Sequence, residues 1–234
     1  MMNSTTPISS SVVIQTEKLI KSKDRVKQHG EVFTPSWMVE KMLDELHEET
    51  SNIYKTILEP SAGNGNFLTA ILSRKLKSIE TTYAGEEHFW CEKALLALSS
   101  IYGIEIQQDN VREARGAMLT TLVTWFNAHQ LKPKEDVYKS AKLIINTNIV
   151  WGDTLKQQHL DGTPIVMSEW KQAKPRTAQV KRIPFFFGHQ LKKNNNQDQI
   201  FQGQLSLFDE PEAKPTMPVY KIVNIKKIHK EETL

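Results

Sequence analysis

Apolar residues recur along this chain in two periods, and each change of period marks an element. Val39, Met42, Leu43 and Leu46 fall at i, i+3, i+4 and i+7, the spacing of one buried helix face. Thr34 is placed to cap that helix and Pro35 to open its first turn. Tyr54 to Leu58 is a short β-branched and apolar run, which predicts a strand. Phe67, Leu68, Ile71, Leu72 and Leu76 return to the helical period, up to a basic Arg74–Lys77 end. Glu87–Ser99 predicts a further helix and Ile101–Ile106 a strand buried on both faces. Val111–His129 predicts a long helix with Met118, Leu119, Leu122, Val123 and Phe126 turned inward. Leu143–Trp151 and Pro164–Met167 read as two more strands. Strands alternating with helices predict an α/β fold built on a doubly wound sheet.

Between the first strand and its helix lies a loop of small residues, Glu59-Pro60-Ser61-Ala62-Gly63-Asn64-Gly65-Asn66-Phe67. The order strand, tight loop, helix brings bare backbone up to a nucleotide-like ligand. A Gly-x-Gly pair alone is common. The whole string is more specific, and it resembles motif I of the amino-methylating DNA methyltransferases, which binds S-adenosylmethionine. Upstream, Gly30-Glu31-Val32-Phe33-Thr34-Pro35 resembles the Phe-Thr-Pro segment (motif X) of the adenine-methylating group. Downstream, Ile101–Ile106 resembles motif II and Asn148–Leu155 resembles motif III. The resemblance covers roughly residues 25–155, with the motifs in family order, and implies a Rossmann-like S-adenosylmethionine-dependent methyltransferase sheet.

The resemblance also implies a role for each residue. Gly63 and Gly65 would let backbone approach the methionine end of the cofactor, where a Cβ would clash. Asn64 would add a side-chain hydrogen bond, and Glu59 would pair with the cofactor's ammonium. Pro60, Ser61, Ala62 and Phe67 complete that loop. Glu105 would accept from the two ribose hydroxyls, Ile106 would pack on the adenine ring, and Asp153 would accept from its exocyclic amine. Phe33 and Thr34 would close the other side. Two of these have plainer readings: Glu105 as a surface carboxylate at a strand end, Asp153 as a helix N-cap.

The family's reaction needs a further part. Its adenine-amino members carry an Asn/Asp-Pro-Pro-aromatic tetrapeptide at the end of the fourth strand, which accepts hydrogen bonds from the target amine and stacks on the flipped base. No such tetrapeptide occurs in these 234 residues. The corresponding stretch reads Pro164-Ile165-Val166-Met167-Ser168-Glu169-Trp170, so Trp170 is the candidate for stacking and Ser168 or Glu169 for accepting. The leading expectation is methyl transfer to adenine in DNA, within a restriction-modification context. The alternatives are a cofactor-binding subunit that acts beside a partner subunit, and a catalytically degenerate, clamp-tethered DNA adaptor.

Composition changes this picture in three places. The single cysteine, Cys91, leaves neither an intrachain disulfide nor a Cys-rich zinc site, and no metal is expected. Met1–Ser11 is polar without a secretory pattern and no apolar run is long enough to span a bilayer, which predicts a cytoplasmic protein without membrane contact. The net charge of +3 is uneven: Lys171–Leu234 holds 12 Lys and Arg against 6 Asp and Glu, so that segment is +6 and the rest −3. A basic, short C-terminal extension suits phosphate contact, and equally suits a solvated tail. Within it, Arg176, Lys181, Arg182 and Phe185-Phe186-Phe187 form a basic-aromatic cluster, read as a DNA contact or as an extra strand with the phenylalanines partly buried. The 64 residues after Trp170 also fall short of a usual target-recognition region.

The chain is thus expected to divide into a flexible N-terminus (1–16), a cofactor-binding domain (17–190) and a polar tail (191–234). Asn194–Gln199 reads as linker. Beyond it, Gln204-Leu205-Ser206-Leu207-Phe208 resembles the pentapeptide with which bacterial replication and repair proteins dock on the DNA polymerase sliding clamp, its plainer reading being a short strand or idle tail.

Overall fold

The computed structural model describes residues 17–175, 177–188 and 217–234. Its elements are α1 (Lys23–His29), α2 (Ser36–Asp44), α3 (His47–Ser51), β1 (Ile57–Glu59), α4 (Asn66–Thr82), α5 (Trp90–Ser99), β2 (Ile101–Glu105), α6 (Gln108–Ala128), α7 (Glu135–Asn148), β3 (Ile149–Trp151), β4 (Val166–Gln172), β5 (Gln179–Phe186) and β6 (Val223–Asn224). A short 3-10 turn, Glu87–Phe89, leads into α5, and a kinked one, Ile225–Lys230, follows β6.

Two sheets result. The first is parallel, in the order β1-β2-β3, with Ile57 opposite Ile101 and Gly103 opposite Ile149. Every residue of β2 is buried, as its continuous apolar run predicts. α4 buries Leu68, Ile71, Leu72, Lys75, Leu76 and Ile79 at helical spacing, and α6 buries Val111, Ala114, Met118, Leu122, Trp125 and Phe126. Gly103 is what lets α4 sit so close: a Cβ there would stand 3.0 Å from Leu68 and 3.2 Å from Ala62.

The second sheet is antiparallel, in the order β4-β5-β6, with Ser168 opposite Pro184 and Trp170 opposite Arg182. It differs from the expected doubly wound arrangement, in which the strand after residue 164 would extend the parallel sheet. The reason lies in the side chains. From Ser168 onward β4 alternates between buried (Ser168, Trp170) and exposed (Glu169, Lys171) positions, the pattern of a strand with one face solvated. One hydrogen bond ties the sheets together, Tyr102 Oη donating to the Ser168 carbonyl at 2.8 Å, and another ties β4 to the end of α7, Trp170 Nε1 donating to Asn148 Oδ1 at 2.8 Å.

Leu143–Asn148, expected as the start of a strand, is instead the last part of α7. Val137, Ala141, Ile144 and Ile145 of that helix are buried together at i, i+4, i+7 and i+8, so the strand begins only at Ile149. Residues 217–234, placed in the polar tail by the sequence reading, pack on the domain. Val223 pairs with Val180, Ile225 and Ile228 are fully buried, and Lys230 Nζ meets Asp136 Oδ2 at 2.9 Å. Arg176, Asn194–Gln199, the Gln204–Phe208 peptide and residues 1–16 lie outside the described residues. Among the described residues, no helix is long and apolar enough to cross a membrane, and no cluster of side chains suits a metal ion.

Candidate functional site

The carboxyl ends of β1 and β2 open into a cleft of 340 Å³. The loop from β1 to α4 forms its floor, with Gly63 at φ +54° and Gly65 at φ +97°. Ala62 N–H donates to the Ile104 carbonyl at 2.9 Å and Gly65 N–H to Ala62 at 2.9 Å, so the loop is folded back on the sheet before α4 begins. α4 starts without a side-chain cap, which leaves N–H groups of its first turn directed at this end of the sheet.

Ten of the residues singled out in the sequence line this one cleft: Phe33, Thr34, Glu59, Ser61, Ala62, Gly63, Asn64, Phe67, Glu105 and Ile106. Glu105, at the end of β2, is buried rather than a surface carboxylate. Its Oε2 accepts from Gly63 N–H at 2.7 Å and its Oε1 from Gln107 N–H at 2.8 Å. Glu59 accepts from Ser61 N–H at 3.2 Å, and burial raises its carboxyl above the usual range. Ile106 is 44% exposed beside it, an apolar surface with nothing packed on its outer side. The Phe33 ring lies 3.4 Å from where a Gly63 Cβ would stand, so it closes directly over the glycine.

Three expected cofactor contacts are not among the lining residues. The Pro60 carbonyl accepts from Thr154 Oγ1 at 2.5 Å. Gly65 faces away from the cleft: a Cβ there would come within 2.9 Å of Ala114 Cα, so this glycine serves the packing of α4 on α6. Asp153 Oδ1 accepts from the N–H groups of Leu155 and Lys156 at 3.0 and 3.1 Å, bonds that close a turn rather than cap a helix, since no helix follows. Those bonds, the Lys156 amide first, hold its carboxyl below the usual range.

Sequence reasoning did not single out the wall facing Glu105. Glu31 and Asn110 line the cleft there, with His29, Gln107 and Asn66. Arg25 clamps that wall: it forms an ion pair with Glu31 and another with Asp109 at the start of α6, where Lys21 joins at 2.8 Å. Asn110 Nδ2 donates to Glu31 Oε2 at 3.0 Å, yet Glu31 Oε1 and Asn110 Oδ1 are buried without a hydrogen-bond partner. Buried acceptors left unsatisfied are costly, and two of them beside Glu59 and Glu105 make this an acceptor-rich cleft. Only the Gly30-Glu31 step of the Phe-Thr-Pro segment signalled this wall in the sequence.

The candidate catalytic residues sit elsewhere. Ser168 and Trp170 are buried, Ser168 Oγ accepting from Arg182 Nε at 2.9 Å and Trp170 bound to Asn148 as above. Glu169 borders a separate hollow with Thr56, Ser100 and Tyr102, at the amino ends of β1 and β2. The structure therefore does not bring Ser168, Glu169 and Trp170 to the cleft, because β4 turns away from the parallel sheet instead of joining it.

No curated protein and no solved structure shows significant similarity to the chain. The family described as "MmeI, DNA-methyltransferase domain" matches residues 33–209, a span that holds the Gly loop, Glu105 and most of the cleft. The chain belongs to this family of DNA methyltransferase domains.

Proposed function

We propose that the cleft binds S-adenosylmethionine and that the chain serves methyl transfer from it to the exocyclic amino group of adenine in DNA. The observation that carries this reading is the acceptor set around Glu105. The ligand presents donors: an ammonium, two ribose hydroxyls and an adenine amine. Glu59, Glu105 and the two unsatisfied oxygens of Glu31 and Asn110 are acceptors within one cleft. Its cationic sulfonium also suits an acidic wall, and its single carboxylate suits the amino end of α4. Bound there, the cofactor supplies an electrophilic methyl group.

The chain's own residues bind and orient. Glu105 is held by Gly63 and Gln107 N–H groups, which fixes its carboxylate before any ligand arrives. Phe33 and Ile106 offer apolar surfaces on either side for the adenine ring. Thr34 accepts through its carbonyl from Asn66 Nδ2 at 3.0 Å, which holds the Phe33-Thr34 segment to α4. Adenine as the target is favoured by the Phe-Thr-Pro segment, which resembles that of the adenine-methylating group.

Titration calorimetry with S-adenosylmethionine tests the reading. Glu105→Gln keeps the side chain's shape but removes its charge. Charge-assisted hydrogen bonds contribute about 1.5–3 kcal/mol, so affinity should fall by roughly ten- to a hundred-fold. Wild-type protein that binds no S-adenosylmethionine, or a variant that binds it equally, would refute the assignment.

A further inference from the structure

The wall of the cleft facing Glu105 holds two acceptors that its own side chains do not use. Glu31 lines the cleft, and its side chain is only 8% exposed. Its Oε2 accepts from Arg25 Nε and from Asn110 Nδ2, each at 3.0 Å, and also from Arg25 Nη2. Arg25 is not among the lining residues, so Oε2 is turned behind the wall and Oε1 is left on the cleft side. Asn110, 1% exposed, is fixed in the same sense. Its Nδ2 stands 3.0 Å from Glu31 Oε2 and 3.5 Å from Glu105 Oε1, and a reversed amide would set Oδ1 against two carboxylate oxygens. Among the described residues, neither Glu31 Oε1 nor Asn110 Oδ1 has a donor, although both are buried. Two such acceptors in one wall call for donors from a ligand.

Charge and position together select the donor. A cationic group would face the Arg25 guanidinium, which already balances the Glu31 carboxylate, so a neutral donor fits here. Asn110 Nδ2 reaches Glu105 Oε1, which puts the pair beside the carboxylate expected to receive the ribose. That carboxylate has little capacity left. An ionised carboxylate offers about two lone pairs on each oxygen. Glu105 Oε1 accepts from Gln107 N–H at 2.8 Å and faces Asn110 Nδ2, while Oε2 accepts from Gly63 N–H at 2.7 Å. About one lone pair therefore remains, on Oε2, for a ribose that presents two hydroxyls.

We infer that the two ribose hydroxyls are divided in this cleft, one received by Glu105 Oε2 and the other by Glu31 Oε1 with Asn110 Oδ1. The inference rests on the S-adenosylmethionine reading above, and it replaces the two-hydroxyl acceptance at Glu105 that the sequence implied. Arg25 is then a positioning residue, because its three-point hold on Glu31 and Asp109 decides which oxygen of Glu31 meets the ligand. Asp109 anchors it from α6, with Oδ2 accepting from Arg25 Nη1 at 2.5 Å and Oδ1 from Nη2 at 3.1 Å, and Asp109 itself does not line the cleft.

Glu31→Gln probes the pair selectively. Arg25 and Asn110 offer only donors to the Oε2 position, so the new amide oxygen must sit there and the amide nitrogen replaces Oε1, turning an acceptor into a donor. Titration calorimetry on the full chain compares S-adenosylmethionine with its 2′-deoxy and 3′-deoxy analogues. Glu31→Gln should bind S-adenosylmethionine at least tenfold more weakly than wild type. It should bind one of the two analogues within twofold of wild type, because that analogue lacks the hydroxyl that Glu31 receives. Asn110→Ala should give the same pattern, and it carries the test if thermal unfolding shows that Glu31→Gln does not fold. Asp109→Asn should weaken S-adenosylmethionine binding at least threefold in wild type but not in Glu31→Gln, a coupling that a purely structural role would not produce. Equal losses for all three ligands overturn the inference, as does a folded Glu31→Gln protein that binds S-adenosylmethionine like wild type. Wild type that binds none of the three overturns the S-adenosylmethionine reading itself, and the inference with it.

Discussion

Alanine at Gly65 should damage the fold, and alanine at Gly63 should damage ligand binding, although the two glycines sit two residues apart in one loop. At Gly65 a Cβ would lie 2.9 Å from Ala114 Cα and 3.1 Å from Ala114 Cβ, so α6 must shift away from α4. Overpacking of that kind costs about 1–3 kcal/mol. The φ of +97° adds left-handed strain of roughly 1–2 kcal/mol. The sum, about 2–5 kcal/mol, is a large part of a typical stability of about 5–15 kcal/mol. At Gly63 the new Cβ meets only the Phe33 ring, at an ordinary 3.4 Å, so the left-handed φ of +54° is the main cost to the fold. Its methyl group would instead intrude where the loop backbone faces the cleft. Urea denaturation and calorimetric titration with S-adenosylmethionine separate the two effects. Gly65→Ala should lose the larger share of stability and Gly63→Ala the larger share of affinity. Adding Ala114→Gly to Gly65→Ala should recover little, because it removes the Ala114 Cβ but leaves the 2.9 Å approach to the backbone Cα. A Gly65→Ala protein as stable as Gly63→Ala would refute the packing role.

Three further outcomes follow from buried groups. Lys75 is fully buried, donating to the Asn52 and Lys55 carbonyls and to Ser100 Oγ, and burial lowers its ammonium from 10.5 to about 7. Between those two values the unfolded chain binds a proton that the folded chain does not. Its contribution to stability therefore rises with pH across that window, by up to about 1.4 kcal/mol per unit. Lys75→Met should remove this slope, and parallel urea-derived profiles for the two proteins at pH 7–9.5 would contradict it. Glu59, its carboxyl raised by burial, should ionise above the usual range, so affinity for a cationic cofactor should increase as pH climbs through that ionisation; Glu59→Gln should flatten the curve in calorimetry. Trp170→Phe removes the donor to Asn148 Oδ1 and should cost about 1–3 kcal/mol of stability with cofactor affinity unchanged. Lost methyl transfer at full stability would return Trp170 to a catalytic role.

Local signals were legible in the sequence because they are local in the fold. The Gly loop, β2 with Glu105, and the buried faces of α4 and α6 each lie in one continuous stretch whose period or small residues report it directly. The α2 face was read too broadly: Val39 and Leu43 are buried, but Met42 and Leu46 are not, because nothing described here covers that flank. Gly65 was assigned to the ligand because spacing cannot tell which neighbour a missing Cβ would meet. Glu31 and Asn110 escaped because they act across 79 residues of sequence. For β4 a signal was present. A parallel strand buried on both faces needs a continuous apolar run, and Ser168-Glu169-Trp170-Lys171 alternates instead.

The charge division takes a different meaning once partners are visible. The basic excess after Trp170 suggested a surface for DNA phosphates, yet much of it serves the docking of residues 217–234. Arg182 pairs with Glu231, Lys221 with Glu232, Lys226 with Glu92 and Lys230 with Asp136. Near the cleft, Lys21 and Arg25 are likewise committed to Asp109, with Glu113 and Glu31 as further partners. Among the described residues, Lys171, Lys174 and Lys181 carry no such pair, but they lie on and around the β4–β5 hairpin. That hairpin borders the hollow at the amino ends of β1 and β2, not the cleft at their carboxyl ends. Phosphate contact is a long-range, salt-sensitive attraction that steers a duplex to wherever free cations gather. Lys171, Lys174 and Lys181 thus lie at the far end of the strands from the cleft, whereas Lys23 and Lys27 of α1, exposed and also without an ion pair among the described residues, sit on the helix whose last residue, His29, lines it. On the proposed reaction, the cations placed to steer a duplex to the cleft are those of α1 rather than those of the hairpin.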